Sequence, residues 1–339
     1  MLTHKENGRL LSVGRVLRGL SLAAVPLFVI IAMVARAKPI TNAPSMILAV
    51  GSPYALLVGL VGALLAIFHR RRVIAALAVA TLVMSLTIQV SWYYLGSPEK
   101  SAPHIEIRVL SSNLRKGQAD AAVLVQLAKG SADVITVAEL TPQAVQHLKR
   151  AGITTAFRYS HLLPAEGSAG IGIWSRYPLT ALTVPRHRAV KMPAARVDVP
   201  GVRFDPLLAS VHVYSPVAGE RNTVSNWRIG MTGAKAQLRT FERIAGPAAV
   251  IVGGDYNSTP DMRQFRDLLT DGYDDAVHQS GAGFAPTYPA DAWFPPLLTL
   301  DHVLTRNAAA ASVQTITIPG SDHRALLATI EVPLDPTAS

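Results

Sequence analysis

Three stretches of this chain, residues 19–35, 46–68 and 73–95, carry no Asp, Glu, Lys or Arg. Each matches the roughly 17–25 apolar residues that cross a bilayer as a helix, so the pattern predicts three transmembrane helices. For the first, a cleaved signal peptide is the alternative, because Ala35, Arg36 and Ala37 resemble a small-residue cleavage site. Beyond residue 104 the pattern changes to short β-rich runs at 105–110, 133–137, 170–174, 202–213, 248–252, 300–304, 312–318 and 326–332. Helical stretches lie between some of them, near 119–129, 142–151, 224–245 and 261–269. Several runs follow one another without a helix, which argues against a purely parallel sheet and for a mixed two-sheet sandwich flanked by helices. The predicted organisation is a membrane region at 1–95, a linker at 96–104 rich in Pro, Gly and Ser, a catalytic-sized domain at 105–332, and a frayed tail at 333–339.

Charge assigns a direction to the spans. Lys5, Arg9, Arg15 and Arg18 precede the first, and Arg70, Arg71 and Arg72 separate the second from the third, which marks both ends as cytoplasmic. The third span then leaves on the other side through Trp92, Tyr93 and Tyr94, an aromatic group suited to the headgroup region. A multi-pass cell-membrane protein with an extracytoplasmic domain is the expectation, although Arg36 and Lys38 then fall on the outer side. The net charge of +10 suggests an acidic polymer as partner until it is divided. Residues 1–100 hold ten Lys/Arg against two Asp/Glu, and the remainder holds 22 against 20. The soluble part therefore lacks the overall basicity of a phosphate-backbone binder. With no cysteine in the chain, thiol catalysis and cysteine metal sites are excluded.

Candidate chemistry concentrates where β-rich runs end. The run ending in Gly253 and Gly254 presents Asp255 and Asn257, an alternating pair that places both polar side chains on one face. Ordinary turn chemistry is the other reading of that stretch. Glu139 follows an apolar run, where an ionised carboxylate needs a partner, most simply Mg2+, Mn2+ or Ca2+, with Asn113 and Asp322 as further oxygen donors. A helix N-terminal carboxylate is the alternative for Glu139. Asp301 and His323 suggest a carboxylate-oriented imidazole for proton transfer or charge stabilisation. His212, inside an apolar run, reads equally as a hydrogen-bonded core histidine. There is no Gly-x-Ser-x-Gly elbow and no phosphate-cradling Gly-x-x-x-x-Gly-Lys-Ser/Thr loop.

Taken in order, Ser112 with Asn113, Ala138 with Glu139, the run from Gly172 to Pro178, the run from Val211 to Pro216, Gly253 to Asn257, Leu300 to Val303 and Ser321 to His323 resemble the endonuclease/exonuclease/phosphatase superfamily. That group contains DNase I-like nucleases, inositol phosphatases and bacterial sphingomyelinases, and the resemblance covers most of 105–332. It implies a four-layered α-β-β-α sandwich with the site at one rim, preceded here by the three spans, and metal-dependent hydrolysis of a phosphate ester. By the same resemblance Glu139 is the principal metal ligand with Asn113 adjacent, and Asp322 is a metal-side carboxylate. Asp255 and Asn257 orient the attacking water and the phosphoryl oxygens. His323, held by Asp301, faces the phosphate, and His212 is a second acid or phosphate contact. Ala138 departs from the glutamine common at that position. The expected cofactor is Mg2+, with Mn2+ or Ca2+ as alternatives. The favoured substrate is a lipid-linked phosphate or pyrophosphate at the membrane. Nucleic acid cleaved by an extracytoplasmic nuclease is the less favoured reading, and an inactive membrane-bound binding module the third. No protein partner is inferable.

Overall fold

The computed structural model describes residues 4–96, 103–185, 187, 189–217 and 222–338, the side chains of 4–15 excepted. The chain divides into two compact units, residues 1–91 with 261–263, and residues 92–260 with 264–339. In the first unit, apolar sequence gives helices α1 (His4–Ala37), α2 (Ala43–Val50), α3 (Ala55–Phe68) and α4 (Arg72–Tyr93), the last two residues of α4 belonging to the second unit. Val16–Ala37 and Arg72–Tyr93 are each long and apolar enough to cross a membrane. The continuous helix expected over 46–68 is instead broken: α2 and α3 meet at 69° and make a third span only if counted together. Pro53 supplies the reason, since it has no N–H to donate and its ring clashes with the carbonyl four residues earlier. Asn42 and Ser45 form a reciprocal capping box, so α2 begins as a helix of its own. Small residues let α1 and α3 approach, because a Cβ on Gly62 would lie 2.2 Å from Val25. Arg36 has a counter-ion in this unit, its Nε donating to Asp261 Oδ1 at 2.8 Å.

The second unit opens with β1 (His104–Asn113), α5 (Ala121–Ser131), β2 (Val134–Ala138), α6 (Pro142–Arg150), α7 (Ile153–Ala156), β3 (Tyr159–Leu163) and β4 (Ile171–Ser175). It continues through β5 (Leu179–Leu182), β6 (Val190–Lys191), β7 (Ala194–Val197), β8 (Leu207–Val213), α8 (Thr223–Ala245) and β9 (Val250–Asp255). It closes with α9 (Arg263–Arg266), β10 (Asp274–Asp275), α10 (Ala276–Ser280), β11 (Asp301–Arg306), β12 (Ala309–Thr317) and β13 (Arg324–Pro333). The helix expected over 261–269 is thus the single turn α9. Two mixed sheets result, ordered β12-β13-β1-β2-β4-β3 and β10-β11-β9-β8-β7-β5, with β6 paired to β8.

Period-two alternation explains the layering. Ile107 and Val109 of β1, with Leu326, Ala328 and Ile330 of β13, meet Ile251 and Val303 of the other sheet in one core. Leu110, Ile135, Trp174 and Leu327 point the opposite way, onto Leu124 of α5 and Leu148 of α6. On the far side, α8 packs on β8 and β9 and buries Trp227, Met231, Leu238 and Phe241. Helices, sheet, sheet and helix therefore stack as four layers. Asp120 caps α5, and Thr141 followed by Pro142 starts α6. Within the segment expected as a tail, Leu334 N–H donates to Pro103 O at 2.8 Å and Arg203 bridges Asp335 at 2.7 Å.

Near the site the sheets leave no room for side chains. A Cβ on Gly254, whose φ is +153°, would lie 2.1 Å from Val211 O, and one on Gly253 2.6 Å from Thr136 Oγ1. Gly254→Ala is expected to destabilise this unit on the order of 3 kcal/mol through strain and overpacking. Denaturant unfolding followed by the buried Trp174 and Trp227 measures it, and an unchanged midpoint would count against this packing.

Candidate active site

Strand register assembles the site. Asn113 ends β1 opposite Ala138, the residue before Glu139. On the second sheet His212 of β8 is level with Asp255 of β9, and Asp255 with Asp301 of β11. His323 immediately precedes β13. Six polar side chains from distant sequence thus gather at one rim, around a cavity of about 930 Å³ that Glu139, His212, Asp255, Asn257, Asp322 and His323 help to line.

Asp255 is buried and well supplied with donors. Its Oδ1 accepts Asn257 N–H at 2.7 Å, and its Oδ2 accepts Asn113 Nδ2 at 3.0 Å and Asn257 Nδ2 at 3.2 Å. His212 Nε2 and His323 Nε2 stand 3.7 and 4.0 Å from the same Oδ2. Burial, the largest influence, raises the Asp255 pKa, against the pull of the His323 charge. Such a carboxylate is suited to accept a proton. Asn113, expected beside a metal, has both amide ends engaged, since its Oδ1 accepts Arg115 N–H at 2.9 Å. Its Nδ2 thereby helps to hold Asp255.

His323 Nδ1 and Asp301 Oδ2 lie 2.7 Å apart, both residues buried. Because a carboxylate only accepts, Nδ1 carries the proton and Nε2 is turned toward Asp255. Desolvation opposes the imidazolium, but the charges of Asp301 and Asp255 and the hydrogen bond outweigh it, and the pKa is pushed up to about 10. His212 Nδ1 lies 3.0 Å from Ser168 O, so it too must donate there, leaving Nε2 for the cavity. The neighbouring His302 serves another purpose. Strand alternation sends it away from the rim, where Nδ1 meets Asp275 Oδ2 at 2.6 Å and Nε2 meets Ser258 O at 2.9 Å.

Glu139 sits just past β2 with φ +57°, its Oε2 accepting Lys116 N–H at 2.7 Å. The other oxygen has His212 Nε2 at 3.9 Å. A carboxylate with one oxygen held by the backbone and the other at an open cavity fits a divalent cation. Asp255, Asp301 and His323 also bring ligand atoms within 4.8 Å of one another. Their 2.7 Å bond already commits Nδ1 and Oδ2 to a proton, so this trio suits proton handling and Glu139 the cation. Asp322 lines the cavity too, with Arg115 Nε at 3.9 Å as its neighbour. Of the nine non-glycine residues with positive φ among those described, Arg115, Lys116, Glu139, Ala189 and Asn257 line this cavity. Backbone strain concentrated at a cleft is a mark of function.

Sequence reasoning missed Arg115, Lys116 and Lys191 as cations at this cavity, and Tyr288, whose ring lies 5.0 Å from that of His323. Proximity of Arg115 and Lys116 to Asn113 was the available signal. Arg176 donates to Ala132 O and Lys129 O and covers the Phe157 ring, away from this cavity's lining. Arg228 lines a separate cavity of about 580 Å³. Trp227 is core, its indole N–H donating to Ser258 Oγ at 3.0 Å.

The same architecture occurs in solved structures. A humanized D. rerio TDP2 with 14 mutations matches at TM-score 0.53 and 20% identity, over 66% of this chain and 98% of that one. D. rerio TDP2 complexed with single strand DNA product gives 0.52 and 18%, over 66% and 98%. An endonuclease/exonuclease/phosphatase family protein from Bacteroides thetaiotaomicron gives 0.51 and 12%, over 68% and 99%. At these identities the likeness is one of fold. No curated protein matches the chain in sequence. The Endonuclease/Exonuclease/phosphatase family does, over residues 108–323, a span that runs through β1 to His323 and takes in every residue of the rim. The chain therefore belongs to the endonuclease/exonuclease/phosphatase family and is a divalent-metal-dependent hydrolase of phosphoric esters.

Proposed function

We propose that this hydrolase acts on the extracytoplasmic side of the cell membrane, on a phosphate or pyrophosphate carried by a lipid. The observation that carries the reading is the continuity of α4 with the hydrolase: a helix apolar and long enough to span a membrane ends in Tyr93, which is buried in the core between the two sheets. Arg70, Arg71 and Arg72 at its start support a cytoplasmic origin. Glu139 would hold Mg2+, the favoured cation, with Asp322 as a further oxygen donor. When bound, the cation supplies Lewis-acid stabilisation of charge on the phosphoryl oxygens. Asp255, held by Asn113 and Asn257, orients a water for in-line attack on phosphorus and takes its proton, while the P–O bond opposite the water breaks and the departing oxygen is protonated by His212 or solvent. The imidazolium of His323, kept charged by Asp301, faces the developing negative charge. His212, with Nε2 toward the cavity, offers a second hydrogen bond to the phosphate. Positioning and electrostatics account for most of the rate in such a reaction.

Arg115, Lys116 and Lys191 around the cavity, and the fold shared with a TDP2 bound to a single strand DNA product, support nucleic acid as the second reading. Full-length protein in vesicles, given polyprenyl pyrophosphate and plasmid DNA side by side, is expected to release phosphate from the lipid, and EDTA or Asp255→Ala to stop it. Rapid metal-dependent DNA nicking with no lipid turnover would refute the substrate. The side of the membrane is tested separately. With no native cysteine, Ala338→Cys offers a unique thiol at an exposed position, expected to react with an impermeant maleimide on intact cells.

A further inference from the structure

Among the described residues the most exposed large apolar side chain is Trp293, at 96%. It lies in a segment, residues 292–300, without a single charged side chain. The segment is held firmly at its base. Leu297 and Leu298 N–H both donate to Tyr288 O, at 2.9 and 2.8 Å, and Tyr288 N–H returns a bond to Leu298 O at 2.9 Å. Beyond this closure the chain is tied to the catalytic rim, since Asp291 pairs with Arg115 at 2.9 Å and Ala290 N–H donates to Asp322 O at 2.7 Å. Pro295 and Pro296 restrict the tip further. An indole displayed on a stiffened, uncharged loop contributes nothing to the core and is built to meet something.

The kind of partner follows from where the loop begins. Gly283 N–H donates to Tyr93 O at 2.7 Å, and the Phe284 ring stands edge-on to that of Tyr93, with centroids 5.4 Å apart. Tyr93 is the last residue of α4, and Tyr94 beside it is exposed. Phe284, itself 41% exposed, is therefore level with the aromatic end of an apolar helix. Aromatic side chains of this kind collect at the headgroup level of a bilayer.

We infer that the loop carrying Trp293 and Leu297 dips into the interfacial layer of a lipid bilayer and seats the Arg115 and Asp322 side of the catalytic cavity against it. The inference rests on the membrane-side reading proposed above. It gives that reading a device: a phosphate borne by a lipid reaches the rim without leaving the headgroup region. The tip has no charge, so its contact is apolar and insensitive to salt.

The test uses full-length protein in phosphatidylcholine vesicles, with and without brominated acyl chains, and Trp293→Phe as the subtraction for the other three tryptophans. Trp293 emission is expected to be quenched by the bromines and shielded from aqueous acrylamide. The double variant Trp293→Ser, Leu297→Ser should turn over a vesicle-held phosphate ester roughly tenfold more slowly, the size expected from withdrawing large apolar side chains from the interface. Its rate on water-soluble bis(p-nitrophenyl) phosphate should be unchanged. Free access of acrylamide to Trp293 in vesicles, or equal losses on both substrates, would overturn the inference. So would shielding that appears in detergent only as protein concentration rises, which would identify a second copy as the occupant. Bromine quenching together with a lack of lipid phosphate hydrolysis would leave the loop's role standing and remove the substrate reading instead.

Discussion

Glu139→Gln is expected to lower turnover at least ~100-fold on any phosphodiester, while leaving the fold in place. The amide retains an oxygen for the Lys116 N–H that holds the wild-type carboxylate at 2.7 Å, so the local backbone keeps its anchor. What disappears is the negative charge of the carboxylate assigned to the cation, and with it a principal attraction for a divalent ion. Activity should therefore rise with Mg2+ or Mn2+ concentration to higher levels than the wild type requires. Initial rates on bis(p-nitrophenyl) phosphate across a metal titration, with calorimetric metal binding beside them, make the measurement. An unaltered metal requirement would remove Glu139 from the cation site. The φ of +57° at this position is a cost a structural loop would shed by using glycine, and its retention in a glutamate fits a residue held for its carboxylate.

Asp301→Asn should reach the rate by a different route, through the protonation of His323. Asp301 and Asp255 hold the His323 pKa at about 10, so the imidazolium persists through neutral pH and is lost only near that value. Removing one of the two charges should bring the alkaline limb of the kcat profile down by roughly 1–3 pH units, with a loss of about 10²–10⁴-fold at alkaline pH. The acid limb has a separate owner. Burial raises the Asp255 pKa above the ordinary carboxylate value, and Asp255 must be ionised to take a proton from water. Asp301→Asn removes a like charge from beside it, which moves that limb, if at all, to lower pH. The stability linkage has a definite sign. The folded-state pKa of His323 lies above the unfolded value, so its contribution is complete below pH ~6.5 and is lost as pH rises toward about 10. Thermal midpoints of wild type and His323→Gln should converge across that window. An alkaline limb that stays in place in Asp301→Asn would break the link between the two residues.

Several elements were readable because a strand covered on both faces reads as a continuous apolar run. The runs that became β1, β2, β4, β8, β9, β11 and β13 are of this kind, with core on both sides of their sheets or a rim residue at their ends. The strands without a clear signal are mainly edges: β3, β5 and β10 each end a sheet. An edge strand has fewer neighbours and a mixed surface, so its pattern is weak. The missed break in the second apolar stretch is another matter. Pro53 breaks the helix there, whereas the absence of charge and the length of the run fit an unbroken span.

The site divides along similar lines. Asp255, Asn257 and Glu139 stood out because polar residues after buried runs need a reason to be there. The pairing did not. Two adjacent Asp-His dipeptides, 301–302 and 322–323, give no hint that Asp301 serves His323 while His302 turns to Asp275. By itself the sequence determined the family, the presence of helices long and apolar enough to cross a membrane, and most of the polar side chains gathered at the rim, because those depend on residue type, order and local periodicity. The tertiary structure decided which donors hold Asp255, which carboxylate charges His323, and that Arg115 and an exposed tryptophan loop share the same rim. These depend on strand register and on contacts between residues tens to hundreds of positions apart, distances over which local sequence carries no geometric information.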